Sequence, residues 1–287
     1  MSLLAWGLVL SLSIVWGGSY LFAEIALQAL PPLLIVWLRV GIAALILWGI
    51  MAVAKNYSAL TWQQWRDLAI MSFLNNVVPF SGIVWAQTLL TGALASIYVA
   101  SMPIFTVILA ILFRAETPRV LRILGAIIGF VGVAILMQGD LSLNQPLWPQ
   151  ALLLLAAFSY GLAALWGRRL AGIHAMQIAY GQVSTSTLWL LIPVALIDRP
   201  WDLTLPSGEV IVSILLLASL CTALAYIWYF RILEIAGSVH LSLVTFIIPP
   251  SAIFLGWLVL DETLFYHHFL GMGVIFVGLW LINHKNT

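Results

Sequence analysis

The chain has 287 residues, of which 63% are hydrophobic and only 7% charged, against about 25% charged for an ordinary soluble domain. So little charge cannot cover the surface of a soluble fold of this size, and the composition reads as an all-α polytopic membrane protein. The net charge of +1 offers no footprint for nucleic acid, and a single cysteine, Cys221, excludes an intrachain disulfide.

The N-terminal stretch MSLLAWGLVLSLSIVWGGSYLF lacks a positive leader, and its apolar run is too long for a signal peptide, so it reads as a retained first span. A membrane helix needs about 20 mostly apolar residues. Walking the chain with that length gives ten transmembrane helices, over 3–24, 33–54, 67–89, 93–113, 120–138, 148–168, 175–197, 209–231, 238–260 and 267–283. Turn or polar residues mark the breaks, among them Pro31-Pro32, Lys55-Asn56, Thr91-Gly92, Asp198-Arg199-Pro200 and Ala236-Gly237.

Lys and Arg are distributed unevenly about these spans. One face carries Lys55, Arg66, Arg114, Arg119, Arg122, Arg168, Arg169, Arg231 and Lys285, while the other has Arg199, with Arg39 a little way into the second span. By the positive-inside rule both termini are cytoplasmic.

A long stretch is written twice. Shifting Pro103–Gly132 by 146 positions superposes Pro103 on Pro249, Glu116-Thr117 on Glu262-Thr263, Gly125 on Gly271 and Gly132 on Gly278. The chain therefore divides into a first five-helix repeat at 1–140 and a second at 146–287. Five is odd, so the second copy enters the membrane from the opposite side. The two hinges agree: Glu116 is flanked by Arg114, Arg119 and Arg122, whereas no Lys or Arg surrounds Glu262. Inverted repeats are a signature of secondary transporters. More loosely, Trp16-Gly17 corresponds to Tyr160-Gly161 and Asn76 to Thr222.

Trp16-Gly17 in the first helix, Arg39 early in the second, then Pro103, Glu116-Thr117 and the Gly125/Gly132 helix together resemble the drug/metabolite transporter superfamily, EamA type. The resemblance covers nearly the whole chain. It implies a ten-helix inverted-repeat carrier in the bacterial inner membrane that works by alternating access. Among its members the aromatic or neutral amino-acid exporters look most similar. Tyr160 in place of Trp, and the loss of basic residues after Glu262, depart from the pattern.

Candidate binding residues follow from polar or aromatic side chains in span interiors. Asn75-Asn76 offer donors and acceptors to a zwitterion without net charge; interhelical amide contact is the bland alternative. Pro79 follows, where a kink can open a cavity. Trp16, Tyr98 and Tyr160 lie away from the interfacial belts where aromatics gather, and Thr222 and Tyr226 form an i, i+4 pair on one helix face. Gln177, Tyr180 or Gly181, and Ser184 make a polar stripe on the seventh span, read chiefly as self-bonded hydroxyls and packing. Glu24 and Arg39 are placed to pair across the first hairpin as a gate or structural lock, with the lock preferred. His240 and His267-His268 have no ligand-spaced partners, so no metal site is expected.

All ten acidic residues lie in loops or near span ends. A carboxylate at mid-membrane usually marks ion coupling, so its absence argues against carboxylate-based antiport and for a cavity without a fixed charge. No nucleophile elbow, phosphate loop or HExxH motif appears, so neither an enzyme nor a cofactor is expected. The sequence points to a monomeric secondary transporter of a small organic substrate, an amino acid, by rocking of two inverted halves about a midplane cavity. Efflux of lipophilic drugs or cations is the alternative, and an intramembrane enzyme the alternative from another class.

Overall fold

The computed structural model describes residues 3–54, 59–114, 120–142, 146–241 and 243–283, with side chains except at 136–142, 237–240 and 283. Lys55, the Glu116-Thr117 hinge, Arg119, Lys285 and the side chain of His240 lie outside the described residues. Those described form helices and turns, without a strand.

The helices are α1 Leu3–Ala26, α2 Pro32–Ala54, α3 Trp62–Ala86, α4 Gly92–Leu112, α5 Val120–Ser142, α6 Trp148–Leu170, α7 Ala175–Asp198, α8 Gly208–Ala236, α9 Leu243–Leu260 and α10 Tyr266–Asn283. Eight are long and apolar enough to cross a membrane; α5 and α10 carry the shorter apolar runs Val120–Ile135 and Tyr266–Ile282. Large apolar side chains such as Leu45, Trp48, Leu188, Phe254, Trp257 and Trp280 face outward, as they do when lipid rather than water surrounds a fold. The protein is a multi-pass membrane protein.

Two boundaries differ from expectation. The third helix begins at Trp62 rather than at 67, because Thr61 and Gln64 form a reciprocal capping box that satisfies its first free N–H groups. Ala236-Gly237, expected as the break between the eighth and ninth spans, does not interrupt the helix, which continues beyond the α8 span to Leu241. An internal glycine weakens a helix by about 1 kcal/mol but does not end it.

Three spans contain a wider π-helical turn. These are Phe73–Val77 in α3, Val194–Asp198 at the end of α7 and Ser219–Leu224 in α8. Phe73 and Ser219 stand 146 positions apart, the spacing of the sequence repeat. Such turns release backbone carbonyls from the usual ladder. Ser159 Oγ donates to the Leu74 carbonyl at 2.6 Å, and Thr222 Oγ1 to that of Leu217, five residues back, at 2.8 Å.

Four glycines let helices meet backbone to backbone. A Cβ at Gly125 would lie 2.6 Å from the Gly278 carbonyl oxygen, and one at Gly132 would lie 2.9 Å from that of Gly271. Gly17 packs on Ser251 and Ala252 of α9, and Gly161 on Phe105 and Thr106 of α4. Each contact joins an element before residue 140 to one after 146.

Candidate functional site

Where the helices diverge they enclose a cavity of about 850 Å³, large enough for a metabolite-sized molecule. Its wall combines Trp16, Tyr160, Phe80, Tyr229 and Phe230 with the polar ends of Asn75, Gln182, Thr222 and Tyr226. At one end it is bounded by Tyr20, Ala23 and Gln87, all buried. At the other it reaches Arg168, Ala171 and Gly172, which are exposed, so the cavity opens there.

The π turn of α3 sets the neighbouring asparagines to different tasks. Asn76 is fully buried and off the cavity wall. Its Nδ2 donates to Ser186 Oγ at 3.0 Å, and its Oδ1 accepts from Tyr226 Oη at 2.8 Å. Asn75 lines the cavity, and its Nδ2 donates to Gln182 Oε1 at 2.9 Å, with longer approaches to Asn76 Oδ1 and Tyr226 Oη. The cluster ties α3, α7 and α8 together, and among the described residues no donor bonds to the Asn75 side-chain oxygen. Trp16 leans on Tyr229 with ring centroids 5.9 Å apart.

The expected binding residues therefore divide. Trp16, Asn75, Tyr160, Thr222 and Tyr226 lie on the cavity wall, while Asn76 stands behind it. Tyr98 is elsewhere, fully buried beside Leu94, Ile97 and Leu153 in the apolar core around α4 and α6. Gln182 and Ser186, which carry the α7 side of the network, were not singled out; the stripe noted on that span was Gln177, Tyr180 or Gly181, and Ser184, read chiefly as packing. A buried Gln and Ser spaced i, i+4 in an apolar span was the available signal.

Glu24 and Arg39 do not pair. The guanidinium of Arg39 turns inward, where Nε donates to Thr222 Oγ1 at 2.8 Å, Nη2 approaches the Cys221 carbonyl at 3.5 Å and Cζ lies 3.8 Å over the Phe80 ring. It lines the cavity, so the expectation of a cavity without a fixed charge is overturned. Glu24 instead meets Glu262. The Gly92 N–H donates to Glu24 Oε2 at 2.7 Å and the Ala93 N–H to Glu262 Oε2 at 3.0 Å, so two carboxyl groups cap the start of α4. Asp261, at φ 53°, folds the chain after α9 back so that Glu262 tucks over Gly256. Among the described residues no group of His, Cys, Asp and Glu is arranged to hold a metal. His267 stacks on Phe265, and His268 meets both rings edge-on.

Against this geometry, the model of the EamA-like transporter family matches the chain twice, over residues 3–138 and 147–284. The chain belongs to the EamA-like transporter family. It is 22% identical over 282 residues to the uncharacterized transporter YoaV of Bacillus subtilis, covering 95% of this chain and 94% of that one. It is 28% identical over 277 residues to protein PecM of Dickeya dadantii, covering 93% and 88%. The uncharacterized inner membrane transporter YedA of Escherichia coli is 24% identical over 279 residues, covering 96% and 89%. A crystal structure of another protein superposes with a TM-score of 0.69 over 98% of this chain and 96% of that one, at 15% identity, a likeness of fold alone. This EamA-like chain is thus a transporter, and the cavity is the part of it suited to hold a small molecule.

Proposed function

We propose that this transporter is a secondary carrier that exports amino acids, including aromatic and neutral ones, across the bacterial inner membrane by alternating access. It spans the membrane ten times as two inverted repeats, 1–140 and 146–287, with both termini cytoplasmic, and works as a monomer. The double family match, the two π turns 146 positions apart and the reciprocal glycine contacts support the repeat. The excess of basic residues on one face supports the orientation.

The observation that carries the reading is a cavity that reaches the exposed Arg168, Ala171 and Gly172, walled by Trp16, Tyr160 and Tyr226 and edged by the amides of Asn75 and Gln182. Aromatic faces suit an apolar side chain, and the amides and hydroxyls suit polar ends. Glu24 and Glu262, holding the start of α4 beside the buried end, serve as the gate contact in place of a Glu24–Arg39 pair. Efflux of lipophilic cations is disfavoured, because the charged residues on the described cavity wall are Arg39, Arg122 and Arg168.

The test is counterflow of a labelled amino-acid panel into proteoliposomes. Saturable exchange of one side-chain class supports the reading, and no exchange of any amino acid refutes it. Neither member of the Glu24–Glu262 contact lines the cavity, so collapsing ΔpH with solute gradients held constant should leave counterflow unchanged. A loss would refute transport without proton coupling.

A further inference from the structure

Arg39 is only 7% exposed, yet among the described residues no carboxylate bonds to it. Its bonds to Thr222 and to the Cys221 carbonyl engage Nε and Nη2, leaving Nη1 without a hydrogen bond to the described protein. The ionisable side chains closest in effect are Cys221, Tyr160, Tyr226 and Tyr20, all neutral in their ordinary protonated form. A guanidinium remains charged at physiological pH. Burying a charge without a partner is among the costliest arrangements a fold can hold. Here the uncompensated charge faces a cavity rather than packed protein, which leaves room for a counter-charge to arrive from outside.

The rest of the wall agrees. Arg122 and Arg168 stand toward the open end, and no Asp or Glu is found on the wall among the described residues. At the inner part of the cavity the charged side chain on the described wall is thus Arg39, a cation, and a site of that sign favours an anion over a cation. Phe80 lies against one face of the Arg39 guanidinium, fixing its plane and directing its free edge. A fixed planar fork is suited to the two oxygens of a carboxylate.

We infer that Arg39 is the substrate-binding cation of this cavity and that the carrier recognises organic carboxylates with an apolar or aromatic body, whether or not they carry an amino group. This rests on the transport reading above and narrows it. An amino acid is bound through its carboxylate, while its ammonium meets only neutral amide and hydroxyl oxygens on the described wall, such as those of Asn75 and Tyr160. The carboxylate is required and the ammonium is dispensable, so arylalkanoates bind alongside aromatic amino acids and the corresponding amines do not.

Intrinsic tryptophan fluorescence of the purified protein, with Trp16 on the wall, reads binding without relying on transport. Three probes sharing one ring are titrated: 3-phenylpropanoate, its neutral amide 3-phenylpropanamide, and 2-phenylethylamine. The wild-type protein is expected to bind the carboxylate at least about tenfold more tightly than the other two, the scale of one charge-assisted hydrogen bond. Arg39→Gln removes that preference, and Arg39→Lys retains part of it. A role for Arg39 in packing alone would weaken all three probes together and leave their ratio unchanged. Equal binding of the three, no binding of the carboxylate, or an undiminished preference in Arg39→Gln overturns the inference. If Arg39→Gln does not fold, the wild-type comparison still decides. Carboxylate preference without amino-acid counterflow would sink the amino-acid reading and leave this one standing; amino-acid counterflow without carboxylate preference would do the reverse.

Discussion

Replacing Asn76 with Ala removes the acceptor of Tyr226 Oη at 2.8 Å and the donor to Ser186 Oγ at 3.0 Å, at a fully buried position behind the cavity wall. Interhelical polar contacts in membranes average about 0.6 kcal/mol each, and a buried hydroxyl left without its acceptor costs about 1 to 3 kcal/mol more. The Ser186 hydroxyl keeps its bond to the Gln182 carbonyl, so the orphan is Tyr226. Together these give a destabilisation of about 2 to 4 kcal/mol, or roughly 5 to 10 °C in melting temperature. Asn75→Ala differs, although the residues are adjacent. Asn75 and its partner Gln182 both line the cavity, where water can replace the lost bond. Its expected cost is under about 1 kcal/mol in stability, with the half-saturation concentration for counterflow raised about tenfold by a lost substrate contact. Thermal unfolding in detergent, followed by size-exclusion fluorescence, reads the first quantity and counterflow the second. Pairing Asn76→Ala with Tyr226→Phe in a double-mutant cycle should recover part of the loss, since removing both partners leaves no orphan. The reasoning fails if Asn75→Ala melts as low as Asn76→Ala, or if the two cycle mutations simply add.

At the α5–α10 contact, a Cβ at Gly278 would stand 2.6 Å from the Gly125 carbonyl oxygen and 2.7 Å from the Gly129 nitrogen, so Gly278→Ala should cost about 1 to 3 kcal/mol through overpacking. Gly273 on the same helix faces open space, and Gly273→Ala should gain up to about 1 kcal/mol from helix propensity; melting temperatures of equal sign would contradict the packing. Glu262→Ala leaves the Ala93 N–H uncapped and should lose about 1 kcal/mol, whereas Glu262→Gln keeps the acceptor and should lose less, as the same melting assay would show. For orientation, in a Cys221→Ala background, an impermeant maleimide should label Thr204→Cys in intact cells but Ala171→Cys only after permeabilisation. The opposite pattern would reverse the assignment of the termini.

The spans were legible because a bilayer demands long apolar runs, and the breaks between them concentrate turn residues and charge. Helix ends were less so: Thr61 and Gln64 look like ordinary loop residues until their reciprocal bonds are drawn, and Gly237 looks like a stop. At the cavity, large aromatics and amides in apolar spans were conspicuous, which is how Trp16, Asn75, Tyr160 and Tyr226 drew attention. What sequence position could not convey was direction. Arg39 and Glu24 flank one short hairpin and invite pairing, but a residue near a helix end can turn inward or along the surface. Packing chose Thr222 and Phe80 for one and Glu262 for the other. Tyr98 shows the converse, since depth within a span does not distinguish a cavity wall from a packed core.

The glycine contacts bear on how such a carrier opens. The first helix of each half is seated on the other half, Gly17 on Ser251 and Gly161 on Thr106, and α5 meets α10 across the same divide. At each of these glycines a partner backbone atom comes within about 3 Å of where a Cβ would stand. Sliding along them would drive carbonyls into neighbouring atoms, so they move as welded pairs. On the proposed division into 1–140 and 146–287, rocking of the two halves as rigid bodies would have to break these contacts. In the proposed carrier, the surface that opens therefore runs between groups of helices drawn from both sequence segments, leaving these glycine contacts closed.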